Sequence, residues 1–162
     1  MDRFANSIGP GMAKASFHPI ESMVDPDAEI ALRYWRDRPF DGIRIGRDVP
    51  SRAIARLLSR IVICEPTPDG SDYRMRLAGS VIHQQLGCDV TGENLSAIFD
   101  EPSEFHARFT GLRDVIQTGE PRMIRIVHHV GSVELMRHEL VVLPVTAPNG
   151  IDRWALVFAF YF

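Results

Sequence analysis

His128 and His129 are adjacent, His138 follows them in the same stretch, and His106 lies upstream, so the histidines are the first side chains to test for chemistry. A metal ion needs ligands that converge on one point. Neighbours on a strand project to opposite faces, so His128 and His129 do not chelate one ion together, and His138 joins only one of them. A hairpin turning at Gly131-Ser132 brings His138 or Arg137 near Arg125 or Ile126. Two readings stay open for the inward histidine: it lines a pocket, or it is a sheet histidine held by a local hydrogen bond. The acids offer no better start. Glu134 and Glu139 stand at an odd spacing, i and i+5, which on a regular strand puts them on opposite faces as solvated carboxylates. No Gly-x-Ser-x-Gly elbow, no glycine-rich loop ending in Lys-Ser or Lys-Thr, and no His-Glu-x-x-His occurs, so the machinery of hydrolases, nucleotide triphosphatases and zinc proteases is missing. Catalytic residues are therefore expected to be none, and metal ligands none.

The rest of the composition agrees with a binding role. The chain has 162 residues, 45% hydrophobic and 24% charged, enough for one domain with its own core. Cys64 sits in an apolar run and Cys88 behind a glycine, which suits free structural thiols in a reducing compartment. A net charge of -3 argues against nucleic acid or an anionic membrane surface as partner. The arginines from Arg33 to Arg60 read instead as a solvated or partner-binding face. No apolar run approaches a membrane span and the opening lacks a leader-like apolar stretch, so a cytoplasmic location is expected.

The elements that position these residues are legible from punctuation. Residues 1–24 read as a mobile tail, 25–58 as N-terminal helices, and 59–162 as the core. Asp25 and Pro26 open a helix ending near Pro39, and Ala53, Ile54, Leu57 and Leu58 mark a second short one. Arg60–Glu65 and Tyr73–Leu77, separated by turn residues, read as a β-hairpin. Brief helices follow at Val81–Leu86 and Leu95–Phe99. The longest helix runs from Pro102 to Thr118 with Gly119 as its stop, and at about 100° per residue Phe105, Phe109, Leu112 and Ile116 share one stripe. Met123–Val130, Val133–Val145 and Arg153–Tyr161 then form an antiparallel meander.

Hairpin, short helices, one long helix and a three-stranded meander is the order of elements in the PAS fold. Tyr73-Arg-Met-Arg-Leu-Ala-Gly-Ser80, Leu86-Gly87, Thr91-Gly-Glu-Asn-Leu95 and Thr118-Gly-Glu-Pro121 resemble the PAS progression. Glu139-Leu-Val-Val-Leu-Pro144, with Arg33-Tyr-Trp35 and Val49-Pro-Ser-Arg52, resembles the small stand-alone PAS proteins of alphaproteobacteria. From Pro50 to Leu58 the chain departs from that group, being shorter and lacking its Asp-Pro helix start.

The resemblance implies an α+β, five-stranded antiparallel sheet with helices over one face, a pocket between them, frequent dimerisation, and a non-catalytic sensor or interaction role in bacterial signalling. No kinase, cyclase or DNA-binding segment accompanies the core, so the expected partners are a second copy and a signalling protein in trans, with a small apolar molecule as ligand. Phe99, Phe105, Phe109, Leu112, Ile126, His128 and His138 are the candidate pocket residues. A filled apolar core is the competing reading of the same stripe. Some PAS domains hold haem through a histidine on the long helix. His106 is the only candidate here and falls on the helix's polar side, so no cofactor is expected; the Asn-Cys-Arg-Phe motif of flavin-binding PAS domains is absent. A small α+β pocket enzyme is the remaining alternative. Both sides of the last strand are apolar, so the sheet's outer face needs a cover: Ile30, Tyr34 and Trp35 of the first helix, from this subunit or a partner, are assigned to Ala155, Val157 and Ala159.

Overall fold

Apolar residues at every position of the last strand require burial on both sides, and the architecture supplies two covers. The computed structural model describes residues 14–162. It is an α+β structure around one six-stranded antiparallel sheet: β1 (Lys14–Pro19), β2 (Ile61–Pro66), β3 (Tyr73–Ala78), β4 (Arg122–Val130), β5 (Val133–Thr146) and β6 (Arg153–Tyr161), in the order β1-β4-β5-β6-β2-β3. The hairpin and meander stand where turn residues predicted them. The sheet has one strand more than the expected five. Lys14–Pro19, within the segment read as a mobile tail, pairs along the edge of β4 from Lys14 opposite His129 to Pro19 opposite Ile124. Strand pairing is a non-local gain that the local composition of that segment does not advertise. The part of the tail reading that concerns residues 1–13 lies outside the described residues.

On the outer face, α1 (Ala28–Arg36) and a 3-10 helix (Arg52–Arg60) bury Ile61, Ile63, Val141, Leu143, Leu156, Phe158 and Phe160. The helix opens two residues later than Pro26, with Asp27 at its N-cap, and Asp25 accepts from the Asp27 N–H at 2.9 Å in the turn before it rather than capping the helix itself. Ala28 and Ala31 make the closest contact of α1, while Ile30, Tyr34 and Trp35 pack around it half-buried. The segment that departs from the family pattern forms the 3-10 helix, capped by Ser51, whose hydroxyl accepts from the Ala53 N–H at 3.2 Å.

On the inner face lie α2 (Ser80–Leu86), α3 (Leu95–Ile98) and α4 (Pro102–Thr118). The bounds of α4 match its punctuation. Pro102 occupies its first turn, the Glu101 carboxylate accepts from the N–H groups of Ser103 and Glu104, and Gly119 closes it with φ of 71°. Gly79, between β3 and α2, is required for a different reason: a Cβ there would lie 2.3 Å from the Ser59 carbonyl oxygen, so the two backbones approach only with glycine.

The side assigned to β6 is reversed. Ala155, Val157 and Ala159 pack inward with Leu112 and Val115 of α4, and Leu156, Phe158 and Phe160 face α1 and the 3-10 helix. Both sides of this strand are apolar, so alternation alone does not tell them apart; side-chain volume does. The bulky residues fill the space under a shallow cover, and the small ones make room for the side chains of a long helix.

Candidate functional site

α4 sets the site, and its sheet-facing stripe differs from the expected one. Arg108, Gly111, Leu112 and Val115 stand at i, i+3, i+4 and i+7 toward the sheet; a Cβ on Gly111 would touch Ile124 Cδ1 at 3.4 Å, and Val115 is fully buried. Phe105, Phe109 and Ile116 are half-buried along the flank, where Phe109 meets Tyr73 at 5.2 Å and Phe105 at 5.8 Å between ring centroids. Leu112 belongs to both stripes. The expected stripe counted only apolar side chains, whereas an arginine with its head clamped and a glycine that permits close approach also face the core.

Across from α4, the inner face of the meander carries three stacked rings. Ile126 and His138 are cross-strand partners on β4 and β5, and His138 stands opposite Tyr161 on β6. His128 and His138 stack at 5.3 Å, and His138 and Tyr161 at 5.0 Å. His129 has the opposite parity, so the adjacent histidines do diverge. His138 is 4% exposed, and its Nδ1 has no hydrogen-bond partner among the described residues. Burial drives its pKa down to about 3, aided by Arg108 and His128; burial lowers His128 as well and raises the Tyr161 phenol. Both imidazoles are therefore neutral near pH 7, and Arg108 is the fixed cation that acts on both.

The side chain of Arg108 is 13% exposed. Its guanidinium lies 3.8 Å from the Phe99 ring centroid and 5.5 Å from that of Phe17 on β1, and it donates to the Glu104 carboxylate one turn back at 3.0 Å. The structure thus brings together Phe99, Leu112, Ile126, His128 and His138 of the candidate pocket residues. It adds Phe17, Glu104, Arg108 and Tyr161, while Phe105 and Phe109 pack half-buried against the inner core beside Tyr73 of β3. The addition of Phe17 had no signal in the sequence, because β1 itself had none; Arg108 had a signal in its i, i+4 spacing from Glu104. His106 is exposed on α4, away from the rings.

One residue along β5, on the other face, Glu139 departs most from expectation. It is 0% exposed rather than solvated. One carboxylate oxygen accepts from the Val24 backbone N–H at 2.7 Å, and the other accepts from Arg125 Nε at 2.8 Å and its terminal nitrogen at 2.7 Å. Glu139 thereby ties down the segment that leads from β1 into α1. The pair Glu134 and Glu139 also shares a face. The register of β4 and β5 shifts so that Leu135 has no partner, and this extra residue turns Glu134 to the side of Arg137, which it meets at 3.0 Å.

Two open surface clefts lie elsewhere. One of about 490 Å³ runs between α1 and the loop after it, lined by Arg33, Tyr34, Arg38 and Pro50 among others; one of about 390 Å³ lies at Val24, Leu135 and Phe162. Among the described residues no group of three or more His, Cys, Asp or Glu is placed to hold a metal ion, and no helix is long and apolar enough to cross a membrane. The arginines between Arg33 and Arg60 are partly spoken for: Arg47 pairs with Asp41 and Asp48, Arg36 with Glu29, and Arg56 with Asp27.

A protein-family model described as PAS domain matches residues 23–156. The chain belongs to the PAS domain family. The match begins beside Val24, the residue held by Glu139, and ends within β6; β1 lies outside it. β2 to β5, the start of β6 and α1 to α4 fall within the match, and β1 pairs along the β4 edge outside it. Membership points to a signalling sensor or interaction module, and PAS domains are generally non-catalytic. No curated protein and no solved structure is matched by the chain.

Proposed function

We propose that this PAS domain is a non-catalytic cytoplasmic sensor in bacterial signalling, which binds a small molecule between α4 and the meander and reports it in trans through the N-terminal cover. The observation that carries this reading is the adjacency of His138 and Glu139. His138 faces the ring stack, and the next residue along β5 holds the Val24 N–H on the opposite face. A strand displaced by a ligand on one side moves its neighbour's carboxylate on the other, and with it the anchor of α1. The PAS membership supports the sensing role. The acids and histidines support a binding rather than a catalytic reading: His138 and Glu139 project to opposite faces and do not converge on one point. The cover of α1 and the surface cleft beside it supply the surface for a partner or second copy.

Native mass spectrometry of freshly purified full chain, paired with hydrogen exchange, tests the proposal. The expected result is a co-purified small molecule, lost in His138→Leu, whose removal speeds exchange or slows it in the Val24–Arg36 segment. A ligand-free protein whose exchange in that segment is the same in wild type and His138→Leu overturns it.

A further inference from the structure

We propose that the space under the first half of α4 is a site for a small aromatic monocarboxylate, whose charge is taken by Arg108 in place of Glu104 and whose ring lies along His128, His138 and Tyr161. This rests on the sensor reading above and specifies its ligand. A guanidinium whose side chain is 13% exposed, held between the Phe99 and Phe17 rings, keeps its charge and demands an anion. The anion it has is Glu104, a neighbour on its own helix at i, i+4 spacing whose side chain is 21% exposed. Such intrahelical pairs are weak, and Glu104 can rotate to solvent without disturbing α4. Its carboxylate marks the place that a ligand's carboxylate would take, and its departure vacates volume beside the rings.

The second observation is His138 Nδ1, buried and without a hydrogen-bond partner among the described residues. Buried polar atoms in folded proteins are almost always hydrogen-bonded, so this one calls for a group from outside the chain. As the Nδ1–H tautomer it donates to a carboxylate oxygen. The charge balance fixes the class. The titratable and charged groups on the inner face of the site are Glu104 and Arg108 from α4, His128 from β4, His138 from β5 and Tyr161 from β6; Arg60, which also acts on Tyr161, lies over the outer-face Phe160 ring, and His129, which acts on His128, has the opposite strand parity. With neutral imidazoles and one cation, the site neutralises a single negative charge, which fits a monocarboxylate and disfavours a phosphate or dicarboxylate. The rings stack face to face across β4, β5 and β6, so their edges are what an aromatic body meets, in the edge-to-face geometry that aromatic pairs favour, with Ile126 beside them between β1 and β5.

The test uses benzoate, with benzamide as its uncharged isostere, titrated into the full chain and followed by calorimetry and by the imidazole signals of His138 in NMR. Saturable benzoate binding that shifts His138 is expected, with benzamide at least about tenfold weaker. Glu104→Gln, which removes the internal competitor, should bind benzoate severalfold more tightly; Arg108→Met should lose it by about tenfold or more. Should Arg108→Met not fold, the benzoate-to-benzamide ratio and Glu104→Gln decide alone. Equal affinity for the two probes, or no saturable binding by either wild type or Glu104→Gln, overturns the proposal and leaves a buried water at His138 as the partner. A neutral molecule co-purifying with wild type, together with no preference for benzoate, overturns this inference while the sensor reading stands.

Discussion

On the outer side of the sheet, Leu156, Phe158 and Phe160 are sealed under α1 and the 3-10 helix; on the inner side, the same strand presents Ala155, Val157 and Ala159 to α4. The outer face is filled by its own strand together with Ile54 and Leu57 of the 3-10 helix, and α1 adds the small residues Ala28 and Ala31. The inner face is filled from above, by side chains long enough to cross from α4, and at the β4 edge by histidine, tyrosine and arginine rather than by aliphatic groups. Each face also holds a buried polar group, but with opposite satisfaction. Glu139 on the outer face has both oxygens engaged, while His138 on the inner face has an Nδ1 with no hydrogen-bond partner among the described residues. The difference teaches that the outer face is built to hold a segment in place, and the inner face retains unmet bonding capacity suited to a ligand.

The strongest way to break this contrast is to remove the outer cover. Deleting residues 1–38 strips β1 and α1 from the sheet and uncovers Val141, Leu143 and Phe158. The expected outcome is aggregation on size-exclusion chromatography, because a soluble protein rarely tolerates such a patch; a truncated chain with unchanged mass and melting temperature would remove the cover from the account. Next in size is Phe158→Ala, which empties a fully buried ring position and should cost about 4 kcal/mol in denaturant titrations.

Glu139→Ala should cost about 3 kcal/mol, since it leaves Arg125 and the Val24 N–H without their acceptor, and Glu139→Gln, which keeps an oxygen for Val24, about half of that. Hydrogen exchange at Val24 separates the two, being fast in Ala and still slowed in Gln.

The inner face has its own signature in pH. His138 is held to about 3 in the folded state against an ordinary 6.5, so between those values the unfolded chain binds a proton that the folded chain does not. Stability is therefore complete above about pH 6.5 and falls as acid is added, by about 2 kcal/mol near pH 5. Urea midpoints of wild type and His138→Phe at pH 7 and pH 5 check this, the variant showing the smaller loss. The smallest effect belongs to Phe109→Ala. Its ring is half-buried on the flank of α4, and about 1.5 kcal/mol is expected. A cost near that of Phe158→Ala would return Phe109 to the centre of the inner core.

Much of the fold was legible because it rests on local rules. Pro102 and Gly119 mark α4, and Gly131 and the Pro148-Asn149-Gly150 turn mark the meander, since these residues have few alternatives to the backbone shapes they adopt there. The candidate site was half legible. Ile126, His128 and His138 share a face by strand parity, which regular pairing preserves, whereas Arg108 was hidden because a charged residue is not counted as a core residue until the rings that shelter it are known.

The sequence by itself determined the order of elements, their ends and the need for a cover on each side of β6, because each follows from backbone preference or apolar content along a short stretch. Tertiary structure alone decided the rest. Residues 14–19 became a strand only by meeting the edge of β4. Leu135 slipped out of register and carried Glu134 to the face of Arg137, which no count along the chain anticipates. Side-chain volume turned Leu156, Phe158 and Phe160 outward, and a carboxylate expected in water was buried because Val24 and Arg125, distant in sequence, arrive to satisfy it. Register, face and burial depend on the partner that comes to a residue, and that partner is set by the closing of the whole fold.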